Sequence, residues 1–177
     1  MKNFLLLAAI CWTACNQPAQ KPAEEMAAGT AADSIQYAYT MEHPVDYWEK
    51  GDPKNIAIAM SCLKAWENRQ IEECLSYFAD SVRFSTNGFD SLMSKEGLGN
   101  MFNEDVKKIS SLKIKMDDCE SVKSKDGKME YVSLWYKQYW TTSDGKSDSA
   151  AVMDDIRMKD GKIASIDEKT RTYPVKK

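Results

Sequence analysis

The stretch Trp66-Glu67-Asn68-Arg69-Gln70-Ile71-Glu72-Glu73-Cys74-Leu75-Ser76-Tyr77-Phe78-Ala79-Asp80-Ser81-Val82-Arg83-Phe84 holds a helix end, a short helix and the start of a strand. Upstream of Trp66, the residues Ile56, Ala59, Met60 and Leu63 recur at helical spacing, with Cys62 on the same side. Asn68-Arg69-Gln70 breaks that pattern. Ile71, Cys74, Leu75 and Phe78 then restore it at i, i+3, i+4 and i+7. Val82 and Phe84 alternate with Arg83 and Ser85, which predicts a short strand ending at the Asn87-Gly88 turn.

Upstream, Asp52-Pro53 is a helix start, with Asp as N-cap and Pro where a missing N–H costs nothing. A third helix is predicted over about Lys95 to Ser110, with Leu98, Met101, Phe102, Val106 and Ile109 on one face. From Leu112 the period changes to two. Ile114, Met116 and Val122 mark one long strand, with Asp118 and Glu120 on the same face. Met129 to Thr141, Ser149 to Met158 and Lys162 to Tyr173 follow as three more. Asp126-Gly127, Asp144-Gly145 and Asp160-Gly161 lie between them as hairpin turns whose residues tolerate positive φ. Helices followed by an antiparallel meander make an α+β plan, with the helices on one sheet face. The strand Met129 to Thr141 is apolar on both faces: Met129, Tyr131, Trp135 and Tyr139 on one, Val132, Leu134, Tyr136 and Trp140 on the other. One face suits the helices, and the other suits solvent or a second copy, so a homodimer through the sheet face is an expectation.

The chain has 177 residues, a formal net charge of −3, five Cys and one His. Mild acidity and the absence of Lys/Arg runs argue against a nucleic-acid partner. The lone His43 excludes any site built on two imidazoles, and neither a metal nor a cofactor is expected. No C-x-x-C spacing is present, so a thioredoxin-like or zinc-ribbon role is not indicated. Cys62 and Cys74 fall on two predicted helices, where they either meet or stay as buried free thiols.

At the N-terminus, Met1-Lys2-Asn3 precedes an apolar run from Phe4 to Ile10. That run is too short to span a bilayer, which needs about 20 residues, and reads as an export signal. It ends in Trp12-Thr13-Ala14-Cys15, which resembles a bacterial lipoprotein signal with Cys15 as the lipidated residue. Residues 15–34, with Pro18, Pro22, Gly29 and repeated Ala, read as a flexible tether. The expected division is therefore a signal over 1–14, the tether, a lead-in over 35–52 and one domain over 53–177. The expected location is the bacterial cell envelope, with a lipid on Cys15 as the membrane contact.

The quoted stretch, with Phe78-Ala79-Asp80 between helix and strand, resembles the opening of nuclear transport factor 2-like, or SnoaL-like, proteins. Ile156-Arg157-Met158-Lys159-Asp160-Gly161-Lys162-Ile163 resembles the hairpin that ends them. Tyr47-Trp48 and Gly51-Asp52-Pro53-Lys54-Asn55 look like the lead-in of lipid-anchored Bacteroidetes members. The resemblance covers about residues 53 to 173. It implies a cone in which three N-terminal helices pack on a strongly curved antiparallel sheet around a pocket.

That fold hosts isomerases, dehydratases, cyclases and non-catalytic members, so the residues must decide. The tyrosine that ketosteroid isomerases use falls on Cys62, and their base falls on Thr86. Only the late-strand acid survives, at Asp154. The Asp/His arrangement of polyketide cyclases finds no His after position 43. Asp154 alternates with Val152 and Ile156, so it is either desolvated with a raised pKa or paired with a Lys or Arg. Cys62, Trp66, Met101, Trp135, Tyr139 and Asp154 are the pocket candidates, with plain core as the other reading of the Met and aromatic positions. The favoured function is a non-catalytic, anchored domain binding a small apolar ligand or an envelope partner. The alternative is a lyase or isomerase using Asp154 as acid or base, with Thr86 or Tyr139 assisting.

Overall fold

Asp52 caps the first helix as its sequence requires: its carboxylate accepts from the Lys54 N–H at 2.8 Å, with Pro53 in the first turn. The computed structural model describes residues 35–173, so the signal, Cys15 and the tether lie outside the described residues. The chain divides into two units, Met1–Thr40 and Met41–Lys177. Residues 35–40 of the first unit contain neither helix nor strand.

The second unit runs β1 (Trp48–Lys50), α1 (Pro53–Glu67), α2 (Ile71–Ser76), β2 (Phe78–Thr86), β3 (Phe89–Ser94), α3 (Lys95–Lys107), β4 (Ile109–Ser124), β5 (Glu130–Thr142), β6 (Ser147–Lys159) and β7 (Lys162–Thr172). All seven strands join one sheet in the order β1-β4-β5-β6-β7-β2-β3. The fold is α+β with a curved sheet, but three expectations are corrected. The sheet is mixed, because β2 pairs in parallel with β7. A β2–β3 hairpin interrupts the helices, so only α1 and α2 precede it. The lead-in is divided: from Met41 it belongs with the domain, and β1 extends the sheet by pairing with β4.

Arg69 explains the broken helical pattern. It adopts φ 63 between α1 and α2, and its guanidinium donates to the Val106 carbonyl at 2.7 Å, satisfying the end of α3. The turns are also more varied than their Asp-Gly sequences. Only at Asp160-Gly161 do both residues take positive φ, giving a tight two-residue hairpin; at 126–127 and 144–145 only the glycine does.

Bulges bend the long strands. One lies between Met116 and Asp118 of β4, and it reverses the side-chain alternation beyond it. Asp118 and Glu120, expected to face the same way as Met116, are therefore exposed, while Cys119 packs on the core. The core joins Phe78 and Val82 of β2, Leu98 of α3, Val132 and Leu134 of β5 and Ile163 of β7. α1 turns mainly small residues, Ala59, Cys62 and Ala65, inward.

Gly51 sits where β1 meets α1, and its N–H donates to the Ser121 carbonyl at 2.8 Å. A Cβ there would stand 2.9 Å from the Val122 nitrogen, which is backbone and cannot swing away. Gly51→Ala is expected to destabilise the domain by about 1–3 kcal/mol through this overlap. Urea unfolding checks it, and an unchanged midpoint would remove the packing argument.

Candidate functional site

Small side chains on the helices leave room beneath them. Between the helices and the inner sheet face lies a cavity of about 450 Å³. Its wall takes Cys62 and Trp66 from α1, Met101 from α3, Tyr136 from β5, Asp154 from β6 and Glu168 from β7. Most of the remaining lining is aliphatic or aromatic, while Asp105, Lys108 and Thr142 add polar groups at the end where Lys108 is exposed. Size and lining match those of small-molecule sites, which are mainly apolar with a few placed polar groups.

Cys62, Trp66, Met101 and Asp154 are thus brought together as expected of pocket residues. Trp135 and Tyr139 are not. Strand alternation decides this: Leu134 and Tyr136 point inward, so Trp135 and Tyr139 project from the opposite face, where Tyr139 is 41% exposed. Neither lines the cavity, and Tyr139 cannot assist Asp154 there. Thr86 does reach the wall. His43 lies away from it, stacked on Tyr47 with ring centroids 4.0 Å apart.

Asp154 is 4% exposed and forms no ion pair among the described residues. The nearby Lys169 instead bridges Asp155 and Asp167 at 3.0 and 2.9 Å. The Tyr136 hydroxyl donates to Asp154 Oδ2 at 3.0 Å, and Oδ1 has no hydrogen-bond partner. Burial, reinforced by the negative charge of Glu168, pushes the Asp154 carboxyl up to about 8, although the Tyr136 hydrogen bond pulls the other way. Burial likewise raises the Tyr136 phenol, with the Asp154 charge adding to it. At neutral pH the carboxyl therefore largely keeps its proton and is a hydrogen-bond donor in an apolar cavity.

Glu168 is a cavity residue that the sequence pattern does not single out. It is the cross-strand neighbour of Asp154. Its Oε1 accepts from Thr86 Oγ1 and from Thr170 Oγ1, each at 3.2 Å. Nor does the pattern single out Tyr136 as a partner of Asp154. Leu134 stands directly opposite Asp154, and Tyr136 reaches it on the diagonal. The sequence signal for both was their shared strand face, once the registers are known.

The raised carboxyl has a sign for stability. An unfolded chain releases this proton near the ordinary aspartate value of 3.8, and the folded chain only near 8. Between those values the folded state binds more protons, so the Asp154 contribution falls as pH rises from about 4 to 8 and then levels off. Asp154→Asn should remove that slope. Relative to wild type, the variant gains on the order of a few kcal/mol between pH 4 and pH 8. Urea midpoints across that range measure it, and parallel curves for the two proteins would exclude a buried neutral carboxyl.

No family profile matches the sequence, and no characterised protein matches it by sequence. Solved structures do match by shape. An epoxide hydrolase of the LEH-like type from M. tuberculosis superposes with TM-score 0.55 at 13% identity, over 67% of this chain and 84% of that one. An NTF2-like protein of unknown function from Burkholderia pseudomallei gives 0.54 at 12% identity, over 68% and 91%. AusH from Aspergillus nidulans gives 0.57 at 13%, over 70% and 87%. With the curved sheet, the helices against one face and the cavity between them, these likenesses make the fold of this chain nuclear transport factor 2-like.

Proposed function

We propose that this domain binds a small, largely apolar molecule carrying an oxygen acceptor, such as a ketone, ether or lactone, with Asp154 donating to that oxygen. One observation carries the reading: a buried carboxyl lines an apolar cavity with one oxygen, Oδ1, left without a partner. Leaving a buried polar atom unpaired costs roughly 1–3 kcal/mol, so such atoms in native proteins call for a reason. A ligand oxygen on Asp154 would recover that cost. The sequence reading of residues 1–34 extends the proposal: a lipid on Cys15 and a tether would hold the binding domain at a membrane of the bacterial envelope.

The test begins with the fluorescent apolar probe 1-anilinonaphthalene-8-sulfonate bound to the folded domain, displaced by a panel of apolar ketones, ethers and matched hydrocarbons. Oxygen-bearing compounds are expected to bind about 10-fold or more better than their hydrocarbon counterparts, a factor worth about 1.4 kcal/mol. Asp154→Leu, which keeps the bulk but loses the donor, should abolish that preference. Equal binding of both series by the wild type would defeat the reading.

A second reading is supported by the Asp154–Glu168 pair. A proton donor and a carboxylate facing one cavity are the parts of a general acid–base device, as a lyase or isomerase requires. The M. tuberculosis protein of like fold is an LEH-like epoxide hydrolase, and epoxide opening is a reaction at oxygen that an acid can assist. In this reading Glu168→Gln leaves ligand affinity within about threefold and lowers turnover of a converted ligand by 10²-fold or more. Ligands that bind yet are recovered unchanged from the wild type would favour the non-catalytic reading.

A further inference from the structure

Cys62 and Cys74 stand on consecutive helices, and their sulfurs lie 3.4 Å apart on the wall of the cavity. Cys62 is 5% exposed and Cys74 1%. Neither is placed by chance on a mobile segment: α1 is held at its end by Glu67, which takes the Ile114 N–H at 3.2 Å and Lys113 at 3.1 Å. The short α1–α2 connection is fixed by Arg69. The two thiols are free in this structure, with Cys119 apart from them on β4. A disulfide holds its sulfurs about 2 Å apart, and these two thiols are already in contact.

We propose that Cys62 and Cys74 are an oxidative modification site, becoming a disulfide that pins the corner between α1 and α2 on one side of the pocket. The oxidant is another disulfide, R–S–S–R, of a small thiol or of an exchange protein. One cysteine thiolate attacks it, forming a protein–S–S–R bond and releasing R–S⁻. The second cysteine then loses its proton, attacks the protein sulfur and displaces the other R–S⁻. Two thiols are oxidised by two electrons, R–S–S–R is reduced, and the two protons leave on two R–SH. Once the domain is folded, the hydrogen bond to Cys74 and burial raise the Cys62 thiol well above its usual value, which suppresses the thiolate. The exchange therefore belongs to folding, before the pocket wall closes. In the cell this step rests on the export proposed above, which supplies the oxidising compartment, and it is independent of the ligand reading.

The experiment follows the cross-link directly. The full chain, denatured and reduced, is refolded in a mixture of reduced and oxidised glutathione, blocked with N-ethylmaleimide and digested with trypsin. Cleavage after Lys54, Lys64, Arg69 and Arg83 puts Cys62 in peptide 55–64 and Cys74 in peptide 70–83. Mass spectrometry is expected to recover these two joined, two hydrogens lighter than their sum. Adding a reductant should lower the thermal midpoint by roughly 10 °C, as expected for a short closed loop. Cys119→Ser should leave both results unchanged. Chain purified without reductant from an oxidising compartment should yield the same joined pair, a readout that needs no refolding. The proposal is overturned if both peptides carry the blocking group in a chain with native circular dichroism. It is equally overturned if either cysteine is found joined to Cys119.

Discussion

The parallel pairing of β2 with β7 is the constraint on which the site depends. A meander of four antiparallel strands has two open edges, and β7 closes one of them by taking β2, which arrives from between the helices and the hairpin with β3. That pairing seats Phe78 and Val82 in the core beside Ile163. It brings Thr86, at the far end of β2, against Glu168. Without it the helices would have no connection that lays them over the inner face, and the cavity would have no third side. Bulges in β4, β7 and β2 supply the bending that such a wrap needs.

Within that frame the chemistry comes from what is missing as much as from what is present. The helices contribute Ala59, Cys62 and Cys74 where bulkier side chains would fill the space, and the sheet contributes large aromatic rings around it. Asp154 is buried there with a phenol as its one hydrogen-bond partner and a second carboxylate beside it. Both neighbours act on its protonation, but removal from water dominates, so the carboxyl keeps its proton where an exposed aspartate would not. The same burial holds the Tyr136 phenol and the Cys62 thiol in their neutral forms. Around Asp154 the cavity wall thus presents neutral donors at neutral pH, and Asp105 and Lys108 lie at its other, exposed end.

Much of this was legible residue by residue. Periodicity located α1, α2 and α3, and the change of period at about Leu112 located the meander, because side-chain spacing follows backbone geometry. The alternation of Val152, Asp154 and Ile156 already placed Asp154 on the inner face. Parity along Met129 to Thr141 likewise put Trp135 and Tyr139 on the opposite face from Tyr136, and ranking the first two as pocket residues went against that parity. Short strands such as β1 and β3 were not read, since three to six residues of mixed character carry no period of their own.

Local spacing and residue type settle the three helices, the four long strands, the inward faces of β5 and β6 and the chance that Asp154 is desolvated, while the bulge in β4 and the short β1 and β3 escape them. Which groups meet depends on how the strands pair in three dimensions. A two-residue turn at Asp160-Gly161 with regular pairing would set Asp154 opposite Asp167. The register shift beyond Arg157 moves its partner by one residue, to Glu168. That single step turns the opposing carboxylate from the outer face to the cavity, because side chains alternate at every residue. The shift comes from how whole strands bend around a shared core, and no local signal in the chain announces it.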